Sequence, residues 1–82
     1  MSDGFTLSAL PLGESAFVTH ISARPDLACR LADLGLIPGT RVTCLLGGSS
    51  GDPRAYLIRG ALIALRKTDA AGIRLRREAS VP

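Results

Sequence analysis

Residues 31–42 have the sequence LADLGLIPGTRV, which combines a helix end, a tight turn and the start of a strand. Upstream, Pro25-Asp26 is a typical helix start, because proline fits the first helical position and an early aspartate complements the positive helix end. Leucines at a helical spacing predict one apolar stripe, formed by Leu27, Leu31 and Leu34. Gly35 is expected to end this helix, and Pro38-Gly39 is expected to form a type II turn.

Short strands are predicted on both sides of this helix, because apolar and polar residues alternate there. They cover residues 6–10, 15–21, 41–46, 54–59, 61–66 and 72–77. Val18 and Ile21 have a spacing that predicts a bulge if both side chains point inward. Residues 47–53 are predicted to form a loop, and residues 67–71 a polar turn. The expected fold is therefore mainly β: a small, strongly bent barrel of five or six short antiparallel strands with one short α-helix.

The chain has 82 residues, which is enough for one small domain. We predict a single domain over residues 1–82, with the barrel at about 6–77 and a frayed tail at 78–82. Hydrophobic residues make up 46% of the chain but aromatic residues only 4%, so the core must be aliphatic. The expected core members are Leu31, Leu34, Val42, Ile58, Ile63 and Leu65.

The sequence has no feature of a membrane or secreted protein. No apolar run approaches the ~20 residues of a membrane span. The start of the chain lacks the basic and apolar segments of a signal peptide. A cytoplasmic location is therefore expected. Cys29 and Cys44 are expected to be buried free thiols, with a single disulfide as the alternative.

Patterns for catalysis or metal binding are scarce. His20 is the only histidine, without a cysteine, serine or acid at a suggestive spacing, and it is interpreted as a structural residue on the surface or half-buried. The acidic residues are scattered, without a pair for acid–base work. Residues 47–51 are glycine-rich but lack the Lys-Ser/Thr of a phosphate-binding loop. We therefore predict a protein that is not an enzyme, with no catalytic residue, cofactor or metal-ligand set.

Positive charge is concentrated in the last part of the chain. The net charge is +3, and from Arg59 onward six basic residues stand against two acidic ones. The arginines at 74, 76 and 77 could follow nucleic-acid phosphates. Single-strand binders also stack bases on aromatic rings, and no aromatic residue lies in this basic part. A solvated strand face is therefore favoured, and a nucleic-acid-binding barrel is the alternative.

The segment 31–42 resembles the signature of the FeoA family, the small cytosolic component of bacterial ferrous iron transport. The similarity continues through Gly51-Asp52-Pro53, Ile58-Arg59-Gly60 and Ile63-Ala64-Leu65-Arg66, and it covers roughly residues 7–76. This resemblance implies an SH3-like barrel, in agreement with the strands and helix expected from the residues. The tip at 47–50 is smaller and more polar than expected of the family.

The resemblance also implies a role beside FeoB, the membrane permease with a cytoplasmic GTP-binding domain. The expected function is that of a non-enzymatic accessory or regulatory protein, which contacts the permease and is peripheral to the membrane only through it. As an alternative to contacting a partner, Arg59 and Arg66 could form ion pairs with Asp52 and Asp69. A metal-responsive domain, like the C-terminal part of iron-dependent repressors and using His20, a cysteine and carboxylates, is a further alternative. The candidate contact residues are Leu36, Ile37, Arg41, Arg59 and Arg66, and for Leu36 and Ile37, which follow the helix cap, a place in the core is the favoured alternative.

Overall fold

Six antiparallel strands and two short helices form the described part of this chain, residues 4–47 and 52–77 of a computed structural model. The helices are α1 (Pro25–Asp33) and the single turn α2 (Lys67–Ala70), and a 3₁₀ turn spans Leu7–Ala9. The mainly β fold with six strands and a short helix is confirmed. The strands are β1 (Phe5–Thr6), β2 (Ser15–Ile21), β3 (Arg41–Gly47), β4 (Arg54–Ile58), β5 (Ala61–Leu65) and β6 (Ile73–Arg77).

The strands form one sheet in the order β1-β6-β2-β3-β4-β5, and every neighbouring pair is antiparallel. The register shifts between Val18 and His20 in β2, where the sequence predicted a bulge. A second shift falls between Cys44 and Leu46 in β3. Because a bulge bends its strand and increases the local twist, these positions help the sheet to curve around its inner face.

The prediction of a first strand at 6–10 is wrong beyond Thr6. Leu7 and Leu10 are both fully buried, and their spacing places them on one side of a helical turn rather than on one face of a strand. The turn closes where the Leu10 N–H donates to the Leu7 carbonyl at 3.1 Å. The hydroxyls of Thr6 and Ser8 are hydrogen-bonded at 2.8 Å, which satisfies both polar side chains beside the turn.

The predicted polar turn at 67–71 is instead helix α2, which buries Ala70 completely. Asp52 supports the start of this helix, because its carboxylate accepts a hydrogen bond of 2.8 Å from the Lys67 N–H. The sequence pattern could not show this contact, because Asp52 precedes β4 whereas Lys67 follows β5, and the two residues meet only when the hairpin has formed. Residues 48–51 of the predicted loop and the predicted tail at 78–82 lie outside the described residues.

The core lies on the inner face of the sheet, under α1 and the 3₁₀ turn, and it is largely aliphatic, with Tyr56 as a fully buried aromatic member. Leu34 is 39% exposed, a correction to its predicted place in the core, because it lies at the C-cap of α1. Cys44 is a buried free thiol, whereas Cys29 is exposed on α1, so the prediction for Cys29 is wrong. The predicted core members that are buried or half-buried are Leu31, Val42, Ile58, Ile63 and Leu65.

The helices in the described part of the chain are short. None of them has the length and apolar character that a membrane crossing requires.

Candidate functional site

The end of α1 sets the geometry of the site. The Gly35 N–H donates to the Ala32 carbonyl at 3.0 Å, and the Leu36 N–H donates to the Leu31 carbonyl at 2.8 Å, which together form a Schellman motif. Gly35 has φ +93°, as predicted for the residue that ends the helix. Leu36 then enters the same core as Leu31, and neither side chain is more than 1% exposed. The chain therefore leaves the helix in a fixed direction.

The turn that follows holds Ile37 outward. Gly39 has φ +96°, and the Thr40 N–H donates to the Ile37 carbonyl at 3.0 Å, as expected for the predicted type II turn. The buried Thr40 hydroxyl donates to the Gly35 carbonyl at 2.8 Å and accepts from the Ile37 N–H at 3.2 Å. Ile37 is 47% exposed and Leu36 is fully buried. Of this predicted contact pair, only Ile37 is accessible to a partner, and Leu36 supports the turn from the core.

Arg41 belongs to a row of outward side chains on three neighbouring strands, which Arg59 continues just after β4. The register places Phe17 between Arg76 and Arg41. The β3–β4 pairing ends at Val42 and Ile58, one residue from Arg41 and Arg59, and both arginines line one surface groove. Arg76, Phe17 and Arg41 each have a buried neighbour along the strand, so their side chains point away from the core, and Arg59 is exposed as well. The row is about 14 Å long, at ~4.8 Å between strands. Arg76, Phe17, Arg41 and Arg59 are termed the basic row.

Two phenylalanine rings are covered by arginines: Phe17 on the outer side of the sheet, and Phe5, which pairs with the buried Leu75, on the core side. The Arg76 guanidinium lies 4.8 Å from the centroid of the Phe17 ring. The Arg77 guanidinium lies 5.1 Å from the centroid of the Phe5 ring. Both distances fall within the range of cation–π attraction. Each ring therefore has a cation on one face.

A second outward row lies beside the basic row. Ser15 pairs with Thr43, and their hydroxyls are 2.7 Å apart. Thr43 pairs with Leu57, and Leu57 pairs with Leu62. Leu57 is 37% exposed and Leu62 is 59% exposed. Ser15, Thr43, Leu57 and Leu62 are termed the mixed row.

A groove of about 370 Å³ lies between the two rows. Its walls are formed by Phe17, Arg41 and Arg59 from the basic row and by Thr43 and Leu57 from the mixed row. The groove therefore combines positive charge, a hydroxyl group and an apolar side chain.

The two predicted contact arginines of the β4–β5 hairpin lie at its opposite ends. Arg59 follows β4 with φ +49°, and its side chain lies over Gly35, where an added Cβ would collide with the Arg59 Cδ. Arg66 follows β5, about 16 Å away at ~3.3 Å per residue. Of the two alternative ion-pair partners, Asp69 lies 3.9 Å from Arg24. The structure therefore groups Arg59, and not Arg66, with Arg41.

The other end of β4 uses its polar groups inside the fold. Arg54 Nη1 donates to the Leu10 carbonyl at 2.8 Å, and the Tyr56 hydroxyl donates to the Leu7 carbonyl at 3.4 Å. Burial raises the pKa of the Tyr56 phenol, and Cys44 raises it further, while Arg54 acts in the opposite direction. The phenol is therefore held in its neutral, donating form, and both bonds attach the 3₁₀ turn to the sheet.

The candidate metal ligands are not brought together. His20 is exposed on β2, Cys29 is exposed on α1, and Cys44 lies in the core. Within residues 4–47 and 52–77, no group of three or more His, Cys, Asp or Glu side chains could hold a metal ion. Among the described residues, the outer sheet face thus has the most coherent geometry for a functional site.

Six residues of this face were not among the sequence-predicted contacts: Phe17, Arg76, Ser15, Thr43, Leu57 and Leu62. Alternation did indicate that Arg76, Thr43, Leu57 and Leu62 lie opposite the apolar face of their strands, but it gave no such indication for Phe17 and Ser15. The sequence did not give the order of the strands in the sheet, and this order is what places these residues side by side.

The chain is similar to proteins of known structure over most of its length. The FeoA domain family model matches residues 5–77. The solution structure of FeoA from Chlorobium tepidum is 35% identical with a TM-score of 0.89, and the match covers 95% of this chain and 74% of that one. FeoA from Stenotrophomonas maltophilia, solved with zinc and described as a procaryotic SH3 domain protein, is 31% identical with a TM-score of 0.71, covering 90% and 99%. The SH3-like fold is thereby confirmed.

A manganese-dependent transcriptional repressor shares the fold, with a TM-score of 0.83 over 95% of this chain and 44% of that one. At 22% identity, this likeness concerns the fold alone. No sequence among proteins with curated functions matches this chain significantly.

Proposed function

This chain belongs to the FeoA domain family, and from that premise we propose that it acts as an accessory protein of bacterial ferrous iron uptake by contacting a FeoB-type permease. The family is non-enzymatic and is associated with ferrous iron transport. Stenotrophomonas maltophilia FeoA has been suggested as a ferrous iron transport activating factor. The proposed location is the cytoplasm, where the permease presents its GTP-binding domain and the cytoplasmic face of its pore.

The observation that supports a contact is the exposure of Ile37 between two outward arginines. Arg41 directly follows the turn that carries Ile37, and Arg59 lies over Gly35 just before it. The hydrogen bonds of Thr40 hold the turn in place, so Ile37 is presented in a fixed position. A preorganised apolar side chain beside arginines fits the centre of a small docking surface. A surface of this size supports weak, transient binding.

A titration of the isotope-labelled chain with the isolated GTP-binding domain of the permease tests this proposal. We expect amide shifts at 37–41 and at Arg59. Ile37→Ala should weaken binding. Leu12→Ala is the matched control, because Leu12 is another exposed aliphatic residue, 59% exposed, but precedes β2 away from this turn.

Two results would contradict the proposal. One is a set of shifts confined to the opposite end of β4, around Arg54, with Leu12→Ala weakening binding more than Ile37→Ala. The other is the absence of binding to the isolated domain and also to the full-length permease with GTP and ferrous iron present.

A further inference from the structure

We propose that the outer sheet face, made of the basic row and the mixed row, binds an acidic segment of a protein partner that also carries aliphatic side chains. Carboxylates of that segment bind the guanidinium groups of Arg41 and Arg59, and its aliphatic side chains pack on Leu57 and Leu62. The identification of the partner with the permease rests on the proposed function. The chemistry of the bound segment rests on the two rows.

Among the described residues of the two rows, every charged side chain is an arginine. Three of the four positions in the basic row are arginine, and neither row contains an acidic residue. The acidic residues of the described chain lie elsewhere, in the turn before β2, on α1, and around α2: Glu14, Asp26, Asp33, Asp52 and Asp69. Two of them, Asp26 and Asp69, lie beside Arg24. The complement of the face is therefore an anionic surface.

Arginine side chains favour carboxylates in particular. A guanidinium group presents two parallel N–H donors that match the two oxygens of a carboxylate. Arg41 and Arg59 both line the groove of about 370 Å³, which is open on the outer face. Thr43 lines the same groove, so a carboxylate that enters it also lies near the side chain of Thr43. The groove thus offers a place where acidic side chains are held by direction as well as by charge.

The apolar part of the face argues for a protein segment. Leu57 and Leu62 are direct cross-strand partners, and both are more than a third exposed. Leu57 also lines the groove, so apolar and basic contacts lie next to each other. Residues two positions apart on a strand are separated by about 7 Å, which is the distance between the two rows. An amphipathic acidic segment reaches both rows at once.

Single-stranded nucleic acid fits this face less well. Such ligands bind where positive charge follows the backbone and free aromatic rings stack on the bases. Here the one aromatic ring of the two rows, Phe17, carries the guanidinium group of Arg76. The exposed apolar residues of the mixed row are leucines, which provide no stacking platform. The shared basic charge is therefore better matched by carboxylates.

Binding of the full chain to the full-length permease in phosphatidylcholine nanodiscs tests the inference. Arg41→Glu should weaken binding about tenfold or more, since a close interfacial charge pair is worth more than the ~1.4 kcal/mol of a tenfold change. Lys67→Glu makes the same charge change at an exposed position on α2 and should change affinity less than about twofold. Raising the salt from about 50 to 300 mM should weaken wild-type binding and affect Arg41→Glu less.

Two further variants separate binding from folding. Arg59→Asn removes the charge but keeps a residue that tolerates the left-handed φ of +49°, and it should weaken binding severalfold with an unchanged circular dichroism spectrum. Leu57→Ser should weaken binding without changing its salt dependence.

The outcomes distinguish the two proposals. If the permease binds the wild-type chain, and Arg41→Glu and Lys67→Glu lower the affinity equally, the acidic-segment inference is overturned and the proposed function is left intact. Loss of permease binding by the wild type itself would overturn the proposed function. Tight, steeply salt-dependent binding of a single-stranded oligonucleotide that Arg41→Glu abolishes would also overturn the inference, in favour of nucleic acid.

Discussion

Strand β4 has an arginine at each end, and the two arginines have different environments. At one end, Arg54 is half-buried and donates a hydrogen bond of 2.8 Å to the Leu10 carbonyl. At the other end, Arg59 is exposed, has φ +49° and lies over Gly35. The Arg54 end attaches the 3₁₀ turn to the sheet, whereas the Arg59 end lies beside the exposed turn at Ile37. The first end stabilises the fold, and the second is available to a partner.

The difference comes from what lies within reach of each side chain. A backbone carbonyl beside Arg54 requires a donor, because the residue that carries it, Leu10, is buried. At the Arg59 end, the Schellman motif uses the carbonyls of Leu31 and Ala32, and the Thr40 hydroxyl donates to the carbonyl of Gly35. These three carbonyls therefore do not require the Arg59 guanidinium as a donor. A polar side chain is thus available for binding where the nearby backbone carbonyls already have other hydrogen-bond donors.

The largest expected effect tests the division between core and surface at the Arg59 end. Leu36→Ala should lower the free energy of unfolding by about 2–5 kcal/mol, because it leaves a cavity in the core. Ile37→Ala should change it by less than about 0.5 kcal/mol, since Ile37 is largely exposed. Urea unfolding followed by far-ultraviolet circular dichroism measures both, and similar losses would show that Ile37 belongs to the core.

The next effect concerns the contact between Arg59 and Gly35. Gly35→Ala and Gly39→Ala both force an L-residue into a left-handed conformation, at roughly 1–2 kcal/mol each. Gly35→Ala must also displace the Arg59 side chain, whereas nothing lies near the added methyl group at Gly39. A further loss of about 0.5–1.5 kcal/mol is expected for Gly35→Ala alone. Equal losses in urea unfolding would show that Arg59 does not rest on Gly35.

A direct comparison of the two arginines comes third. Arg54→Met should lower the free energy of unfolding by about 1–3 kcal/mol, because it keeps the apolar stem but leaves the Leu10 carbonyl without its donor. Arg59→Asn should lower it by less than about 0.5 kcal/mol. The comparison fails if Arg59→Asn is the more destabilising of the two in thermal and urea unfolding.

The smallest expected effect concerns the Tyr56 hydroxyl near Arg54, whose contribution to stability depends on pH. The folded-state pKa of Tyr56 is raised, chiefly by burial, so its stabilising contribution is complete below the unfolded pKa of about 10 and is lost as pH rises through the folded pKa. Tyr56→Phe should cost about 0.5–1.5 kcal/mol at neutral pH, and its stability should fall less steeply than that of the wild type above pH ~10. Parallel stability curves of the two proteins at alkaline pH would contradict this.

Much of the fold could be predicted because its signals are local. The leucine stripe, Gly35 and Pro38-Gly39 predicted the helix and the turn, and alternation predicted most strands. The errors came from contacts distant in sequence. Leu7 and Leu10 form a turn because both fit the core, and α2 begins where Asp52 caps Lys67.

The candidate site was predictable only in part. Ile37, Arg41 and Arg59 were identified from a family resemblance, and these three lie at one end of the molecule. Leu36 was separated from them by its burial, which depends on the direction of the chain after Gly35. Arg66 lies apart from these three residues, because β5 extends between it and Arg59, and the sequence alone did not give that distance.

Backbone preferences and the period of side chains along a strand are local properties, and they were sufficient to predict an aliphatic core, the end of α1, the tight turn and the outward side of most strands. Contacts between distant parts of the chain place Arg76, Phe17, Arg41 and Arg59 in one row, put Leu57 and Leu62 beside it, and bring the Leu10 carbonyl to Arg54. Neighbours across a sheet are set by strand order and register, and those result from how the whole chain buries its apolar surface at once.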